Sequence, residues 1–163
     1  MMEKKITLSL VVPAYNEEKI IGKNLKKIIR FLSNRKYSWE IIVADDGSKD
    51  RTSDIVKNFK NSNVRLVKLD KNKGKGAALK AGFLAARGEY ALFSDADLSV
   101  PIQSIDEVLK KLQEYNVVIG SRRIRGAKIL IHQPFVRESM ARVFTFLTKI
   151  VTGINISDFT CGF

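Results

Sequence analysis

Short apolar runs that break off into polar, mostly acidic loops constrain this chain more than any other feature. Leu8-Ser9-Leu10-Val11-Val12, Ile41-Ile42-Val43-Ala44 and Tyr90-Ala91-Leu92-Phe93 each have the length and composition of a buried strand. They end in Pro13-Ala14-Tyr15-Asn16-Glu17-Glu18, in Asp45-Asp46-Gly47-Ser48 and, after Ser94, in Asp95-Ala96-Asp97. Between the runs lie amphipathic stretches. In the first, Lys23, Lys26, Lys27 and Arg30 interleave with Ile20, Ile21, Leu25, Ile28, Ile29 and Leu32 at helical spacing. Strand–helix alternation predicts an α/β fold, with a mostly parallel sheet and helices on both faces. In such sheets ligands bind outside the C-terminal ends of the strands. All three polar loops fall there.

The pattern predicts strands over 6–12, 39–44, 64–69, 90–93 and 116–119. Helices are expected over 17–32, from an Asp50 N-cap through Ile55, Val56 and Phe59, over 74–87 with Gly88 as C-terminal cap, from a Ser99 cap through Leu112, and over 135–151. The small residues Ala77, Ala78, Ala81, Gly82 and Ala85 predict close packing of the third helix on the sheet. A basic loop, 121–133, holds Arg122, Arg123, Arg125 and Lys128. The alternation leaves no linker and no second domain, so residues 1–163 read as a single domain.

Composition narrows the partners. The single cysteine, Cys161, excludes a disulfide framework. Met1–Lys5 lead straight into a strand without a leader pattern, and no uncharged apolar run reaches the ~18 residues needed to span a bilayer. The net charge of +12 is largely a solvated lysine-rich surface, but it also favours anionic partners. No nucleic-acid module or aromatic platform accompanies it. Phosphorylated substrate at an anionic membrane surface fits better.

Two carboxylates at i and i+2 in an extended segment project to the same side. Asp95 and Asp97 therefore form a candidate site for Mg²⁺ or Mn²⁺, which take hard oxygen ligands and often bind through one or two carboxylates plus substrate phosphates. Pro13 is expected to end the first strand. Glu17 and Glu18 are placed in the first turn of a helix, where the dipole favours negative charge. Asp45 reads as a turn residue. Asn72-Lys73-Gly74-Lys75-Gly76 resembles a phosphate loop at a helix N-terminus, although neither a Walker A nor a Rossmann glycine pattern is present. Lys75 is a candidate phosphate contact. His132 reads as loop structure.

The motifs Ser9–Glu18, Asp45–Thr52, Asn72–Leu79, Asp95-Ala96-Asp97 and Gly120-Ser121-Arg122 resemble, in order, the motif set of inverting family 2 glycosyltransferases. Pro134–Arg137 and Asp158–Phe163 are similar to the branch that acts on polyprenyl phosphates, including dolichyl-phosphate glucosyl- and mannosyltransferases. The resemblance implies a Rossmann-like GT-A fold for nucleotide-sugar binding. Because Asp158–Phe163 stops inside a motif, the catalytic domain is expected to be truncated at its C-terminal end. The resemblance places Pro13, Ala14, Tyr15 and Glu17 around the nucleoside, with Glu17 on the ribose and Asp46 on the base. Asp95 and Ala96 complete the donor site, and Asp97 with Asp95 holds Mg²⁺ or Mn²⁺. Arg122 and Arg137 contact phosphates, so Asp95, Asp97, Arg122 and Arg137 form the expected catalytic set.

Transfer of a hexose from a nucleotide-sugar to a polyprenyl phosphate is the expected reaction. Ser99, two positions after Asp97, and Asp158–Phe163 resemble the glucosyl branch more than the mannosyl one, which implies UDP-glucose rather than GDP-mannose as donor. A hydroxyl acceptor would require a further base, for which Asp158 is the candidate. A nucleotide-sugar-binding module without turnover is the reading from another class. The expected location is cytoplasmic, peripheral at the cytosolic face of a membrane.

Overall fold

The computed structural model describes residues 5–121, 135–154, 156 and 158, without the side chains of 135–139, 141 and 142. Its strands are β1 (Leu8–Ala14), β2 (Trp39–Asp45), β3 (Val64–Lys68) and β4 (Tyr90–Phe93), and its helices are α1 (Ile21–Ser33), α2 (Thr52–Lys57), α3 (Lys75–Leu84), α4 (Ser104–Lys111) and α5 (Phe135–Thr152). Two compact units divide after Asn116. The first holds β1–β4 and α1–α4. The second holds α5.

In the first unit the strands form a parallel sheet of order β3-β2-β1-β4. Right-handed crossovers dictate where the helices go. The steps β1→β2→β3 run one way and set α1 and α2 on one face. The return step β3→β4 sets α3 on the other. Every residue of β1 and β2 is consequently buried, as expected for parallel strands covered on both sides. Val11, Ile42, Ala44 and Ala78 form the core beneath α3. The small-residue face of α3 works as expected: a Cβ on Gly82 would stand 2.4 Å from Val11 Cγ1.

Several boundaries differ from expectation, each for a tertiary reason. β1 runs through Pro13, which pairs in register with Ala44. The Val11 carbonyl accepts from Ser94 N–H, and the Ala14 carbonyl from Asp46 N–H. By alternation Pro13's missing donor faces the β4 side, beyond the last β1–β4 pair, Val11–Phe93. Gly88 is not a helix cap, since α3 closes at Ala85. It is required where the chain re-enters the sheet, because a Cβ there would lie 2.5 Å from Ser9 N. Ser99 does not cap α4, which begins at Ser104 after a turn closed by Ser104 N–H to the Pro101 carbonyl, 3.0 Å. Residues 116–119 form no strand. Val117 is 77% exposed and Ile119 46%, and the segment has no ladder partner among the described residues.

Candidate active site

The loops at the C-terminal ends of β1, β2 and β4 meet the start of α3 in a cleft of about 350 Å³. Nine residues singled out in the sequence line it: Pro13, Ala14, Tyr15, Glu17, Asp46, Lys75, Asp95, Ala96 and Asp97. Asn72, Gly74 and Ala78 complete it. The cleft lies where crossovers leave in opposite directions, the topological switch point of an open α/β sheet.

The first two loops are stitched to each other. Asn16, at φ 54°, donates its N–H to Ser48 Oγ at 2.9 Å, while its Oδ1 accepts from Lys49 N–H at 2.9 Å. Glu17 N–H donates to Thr52 Oγ1, 2.8 Å, and Glu18 N–H to Asp50 Oδ2, 3.1 Å. Glu18 Oε2 accepts from Arg51 N–H in return. Asp50 is not the N-cap of α2. That position is Arg51, which makes no side-chain cap bond, and the Asp50 carboxylate instead accepts from Thr52 N–H at 2.9 Å, one residue before that cap. α1 begins only at Ile21, with no acidic residue in its first turn. The helix dipole therefore does not account for Glu17 and Glu18. Their loop is held by side chains from the second motif.

Asp45 is fully buried and local, accepting from Ser48 N–H and from the Ser53 hydroxyl. This is the turn role its sequence position predicts. Asp46 has a further function that sequence reasoning missed. Its two carboxylate oxygens accept from Lys73 N–H and Gly74 N–H, each at 2.8 Å, which ties the β2 loop to the entrance of α3. That tie brings the amino end of α3, the end of the helix dipole that favours anions, to the cleft wall.

On the opposite wall, Asp95 accepts from Lys75 Nζ at 2.5 Å, and the ammonium stands 5.5 Å from the centroid of the Phe93 ring. A turn closed by Leu98 N–H to the Asp95 carbonyl, 3.0 Å, presents Asp97, whose Oδ1 accepts from Ser99 N–H at 2.9 Å. Leu98 takes φ 55° to make this turn. Behind it, Asn24 of α1 donates to the Ala96 carbonyl at 2.8 Å. Asn24 was not singled out in the sequence. Its signal is that of a lone amide within the apolar stripe Ile21, Leu25, Ile28 and Leu32.

Burial pushes the Glu17 carboxyl above its ordinary pKa, and the negative charges of Asp97 and Asp50 push it further. The folded chain therefore binds a proton that the unfolded chain releases just above the ordinary glutamate value. Stability falls as pH rises through that range. Glu17→Gln is accordingly expected to melt at a higher temperature than the parent at neutral pH, with the difference vanishing below the ordinary glutamate pKa. Identical melting curves at both pH values would remove the carboxylate repulsion from this account.

Asp158 is 3% exposed and belongs to the second unit. Arg122, His132 and Cys161 lie outside the described residues, and Arg137 falls within α5 but its side chain is not described.

Comparison with known proteins identifies the family and the fold. The sequence profile described as Glycosyl transferase family 2 matches residues 9–163. A dolichyl-phosphate β-glucosyltransferase of Trichomonas vaginalis is 38% identical, with 98% of this chain and 53% of the relative covered. Those of Dictyostelium discoideum and Homo sapiens are 35% and 31% identical, covering 97% and 96% of this chain and 53% of each relative. The chain thus spans about half the length of the curated relatives it matches. Among solved structures, S. aureus TarS 1-349 superposes with a TM-score of 0.54 at 28% identity, over 68% of this chain and 33% of that one. A mycobacterial protein does so with a TM-score of 0.52 at 30% identity, over 66% and 36%. The expected GT-A type of α/β fold is the one observed, and the chain belongs to glycosyltransferase family 2.

Proposed function

We propose that this chain binds UDP-glucose and transfers glucose, with inversion, to a polyprenyl phosphate of the dolichyl type. The observation that carries the reading is the convergence of Asp46, Lys75 and the Asp95/Asp97 pair on one cleft. The chain that builds it resembles dolichyl-phosphate β-glucosyltransferases along nearly its whole length.

Pro13, Ala14 and Tyr15 form the wall for the nucleoside. Tyr15 is exposed enough, at 39%, to lie against a base. Asp46 retains lone pairs beyond the two backbone bonds and accepts from a base N–H. Glu17 accepts from ribose hydroxyls. The amino end of α3 and Lys75 offset the diphosphate charge.

The cleft fits Mg²⁺ or Mn²⁺. Asp95 already meets a cationic group, the Lys75 ammonium, and Asp97 lies on the same cleft with one oxygen outside its bond to Ser99. No group of three or more His, Cys, Asp or Glu that could hold a metal occurs among the described residues. Mg²⁺ in particular is commonly bound through one or two carboxylates, with substrate phosphate oxygens and water completing its shell. Asp95 and Asp97 are the residues that would hold such an ion, and when bound it supplies Lewis-acid stabilisation of the leaving diphosphate.

The acceptor phosphate is anionic near neutral pH, since the second pKa of a phosphomonoester is about 6. It therefore needs no protein base. Its oxygen attacks the anomeric carbon, the bond to the diphosphate breaks on the opposite side, and UDP departs with that electron pair. The chain's task is placement and charge neutralisation. Arg122 and Arg137 are assigned to phosphate contacts by resemblance to the family motifs, and Arg137, at the start of an apolar helix, is the one proposed to meet the acceptor phosphate.

The acceptor's lipid would suit the apolar side chains of α5. Met140, Phe144, Leu147 and Val151 recur on one side of the helix at 67%, 51%, 54% and 84% exposure. No described helix is long and apolar enough to cross a membrane. An interfacial helix with basic neighbours suits an anionic cytosolic membrane surface. Flotation with anionic liposomes is expected to show binding that weakens with salt, and Arg137→Ala is expected to raise the acceptor KM far more than the donor KM. Absence of binding at low salt would contradict the membrane assignment. A defect confined to the donor would contradict the role of Arg137.

Calorimetry with UDP, GDP and their sugars, with and without Mg²⁺ or Mn²⁺, tests the donor. Metal-dependent binding of UDP and UDP-glucose ahead of GDP and GDP-mannose is expected. A preference for the guanine nucleotides would overturn the choice of glucose.

A further inference from the structure

The stripe that α1 turns to the interior contains one polar side chain. Ile21, Leu25, Ile28 and Leu32 are each at most 1% exposed, and Asn24 between them is 7% exposed. Burying an amide in such a stripe is unfavourable unless it is hydrogen-bonded. Leucine would serve the helix better in propensity and in burial. Asn24 Nδ2 instead donates 2.8 Å to the carbonyl of Ala96, 72 positions away in sequence. Ala96 is the middle residue of Asp95-Ala96-Asp97 and is itself only 6% exposed.

The bond is placed where it controls both carboxylates. β4 ends at Phe93, and its last pairing with β1 is Val11–Phe93. After Ser94 N–H donates to the Val11 carbonyl, the sheet gives the chain no further ladder. The turn that follows is closed on itself by Leu98 N–H to the Asp95 carbonyl and by Ser99 N–H to Asp97 Oδ1. Those bonds shape the turn without fixing its position over the sheet. Lys75 grips Asp95 from the solvent side, and its side chain is 50% exposed. Asn24 supplies the buried anchor, from α1 to the backbone between the two carboxylates.

We infer that Asn24 is a positioning residue for the Asp95/Asp97 pair. It fixes the backbone from which the two carboxylates spread, and so sets the spacing at which they meet a divalent cation and the donor diphosphate. It touches neither ligand. The inference rests on the proposed role of that pair.

The test compares Asn24→Leu and Asn24→Ala with the parent chain. Asn24→Leu keeps the branching of the side chain and completes the apolar stripe but is larger and cannot donate, and Asn24→Ala removes the donor without adding bulk. If Asn24 only packs, both variants should melt earlier, because the Ala96 carbonyl loses its donor, but the gain in UDP affinity that Mn²⁺ confers should match the parent's. Two calorimetric affinities are read, UDP with Mn²⁺ and UDP with chelator, alongside circular dichroism and thermal melting. Loss of an outer partner of a metal ligand typically costs roughly 10–100-fold in affinity. A loss in that range is expected for UDP in the presence of Mn²⁺, in both variants, with little change in the metal-free affinity. Both variants should melt cooperatively. An Asn24→Leu chain that binds UDP with Mn²⁺ as the parent does would overturn the inference, as would equal losses with and without metal in a folded variant. If Asn24→Leu does not fold, Asn24→Ala gives the same comparison. A parent chain without metal-dependent UDP binding would instead remove the proposed function itself, so the two failures are distinct.

Discussion

Asp97→Ala is expected to abolish turnover and metal-dependent nucleotide binding while leaving the fold intact. Asp97 is exposed, and the one hydrogen bond described for its side chain is local, to Ser99 N–H. Its charge is unfavourable in the metal-free chain, because it is one of the two carboxylates that push the Glu17 pKa upward. Removing it relieves that repulsion, so melting should be unchanged or slightly later. The functional cost is large for a different reason. Partners one shell away from a metal typically account for ~10–100-fold in affinity or activity, and a ligand itself should account for at least the upper end. Calorimetry of UDP with Mn²⁺, together with a turnover assay, checks both halves. Unchanged metal-dependent affinity in Asp97→Ala would show that the pair is only a turn.

Asp46→Asn should produce the second largest effect. A hydrogen bond between a carboxylate and a base N–H contributes roughly 1.5–3 kcal/mol, corresponding to about 10- to 150-fold in UDP affinity. The structure adds a second cost. Asp46 accepts from Lys73 N–H and Gly74 N–H at 2.8 Å each, and an amide in its place would turn one NH₂ toward an N–H donor. The entrance of α3, and with it Lys75, should then shift. Affinity for UDP is expected to fall at least as far as the base contact alone dictates, and melting is expected to come earlier because one buried backbone tie is lost, with the fold retained. Equal UDP affinity in variant and parent would restrict Asp46 to the loop tie.

The sheet and its cleft were legible because each rests on a local signal. Buried parallel strands read as apolar runs, and chain direction delivers their C-terminal loops to one edge. Tyr15, Asp46 and Asp97 could therefore be placed together before any contact was known. What sequence could not show were choices made between distant segments. Glu17 and Glu18 looked like a helix start, but Thr52 and Asp50 hold that loop, and α1 starts at Ile21. Gly88 looked like a helix cap, but Ser9 lies where its Cβ would be. Pro13 looked like a strand end, but the strand continues because no partner needs its missing N–H. Asn24 looked like an accident in an amphipathic pattern, since its acceptor lies 72 residues away. Residues 116–119 have the composition of a strand, but a strand exists only through its pairing.

Glucose transfer to a polyprenyl phosphate can be followed in a single assay. The chain is incubated with UDP-glucose, a short-chain polyprenyl phosphate and Mn²⁺, and the products are followed by mass spectrometry and by NMR of the anomeric proton. A β-linked glucosyl polyprenyl phosphate is expected in equal amount with UDP, with no product when Mn²⁺ is chelated. Metal-independent transfer, retention of the α configuration, or release of UDP without a glycolipid would contradict the proposed function.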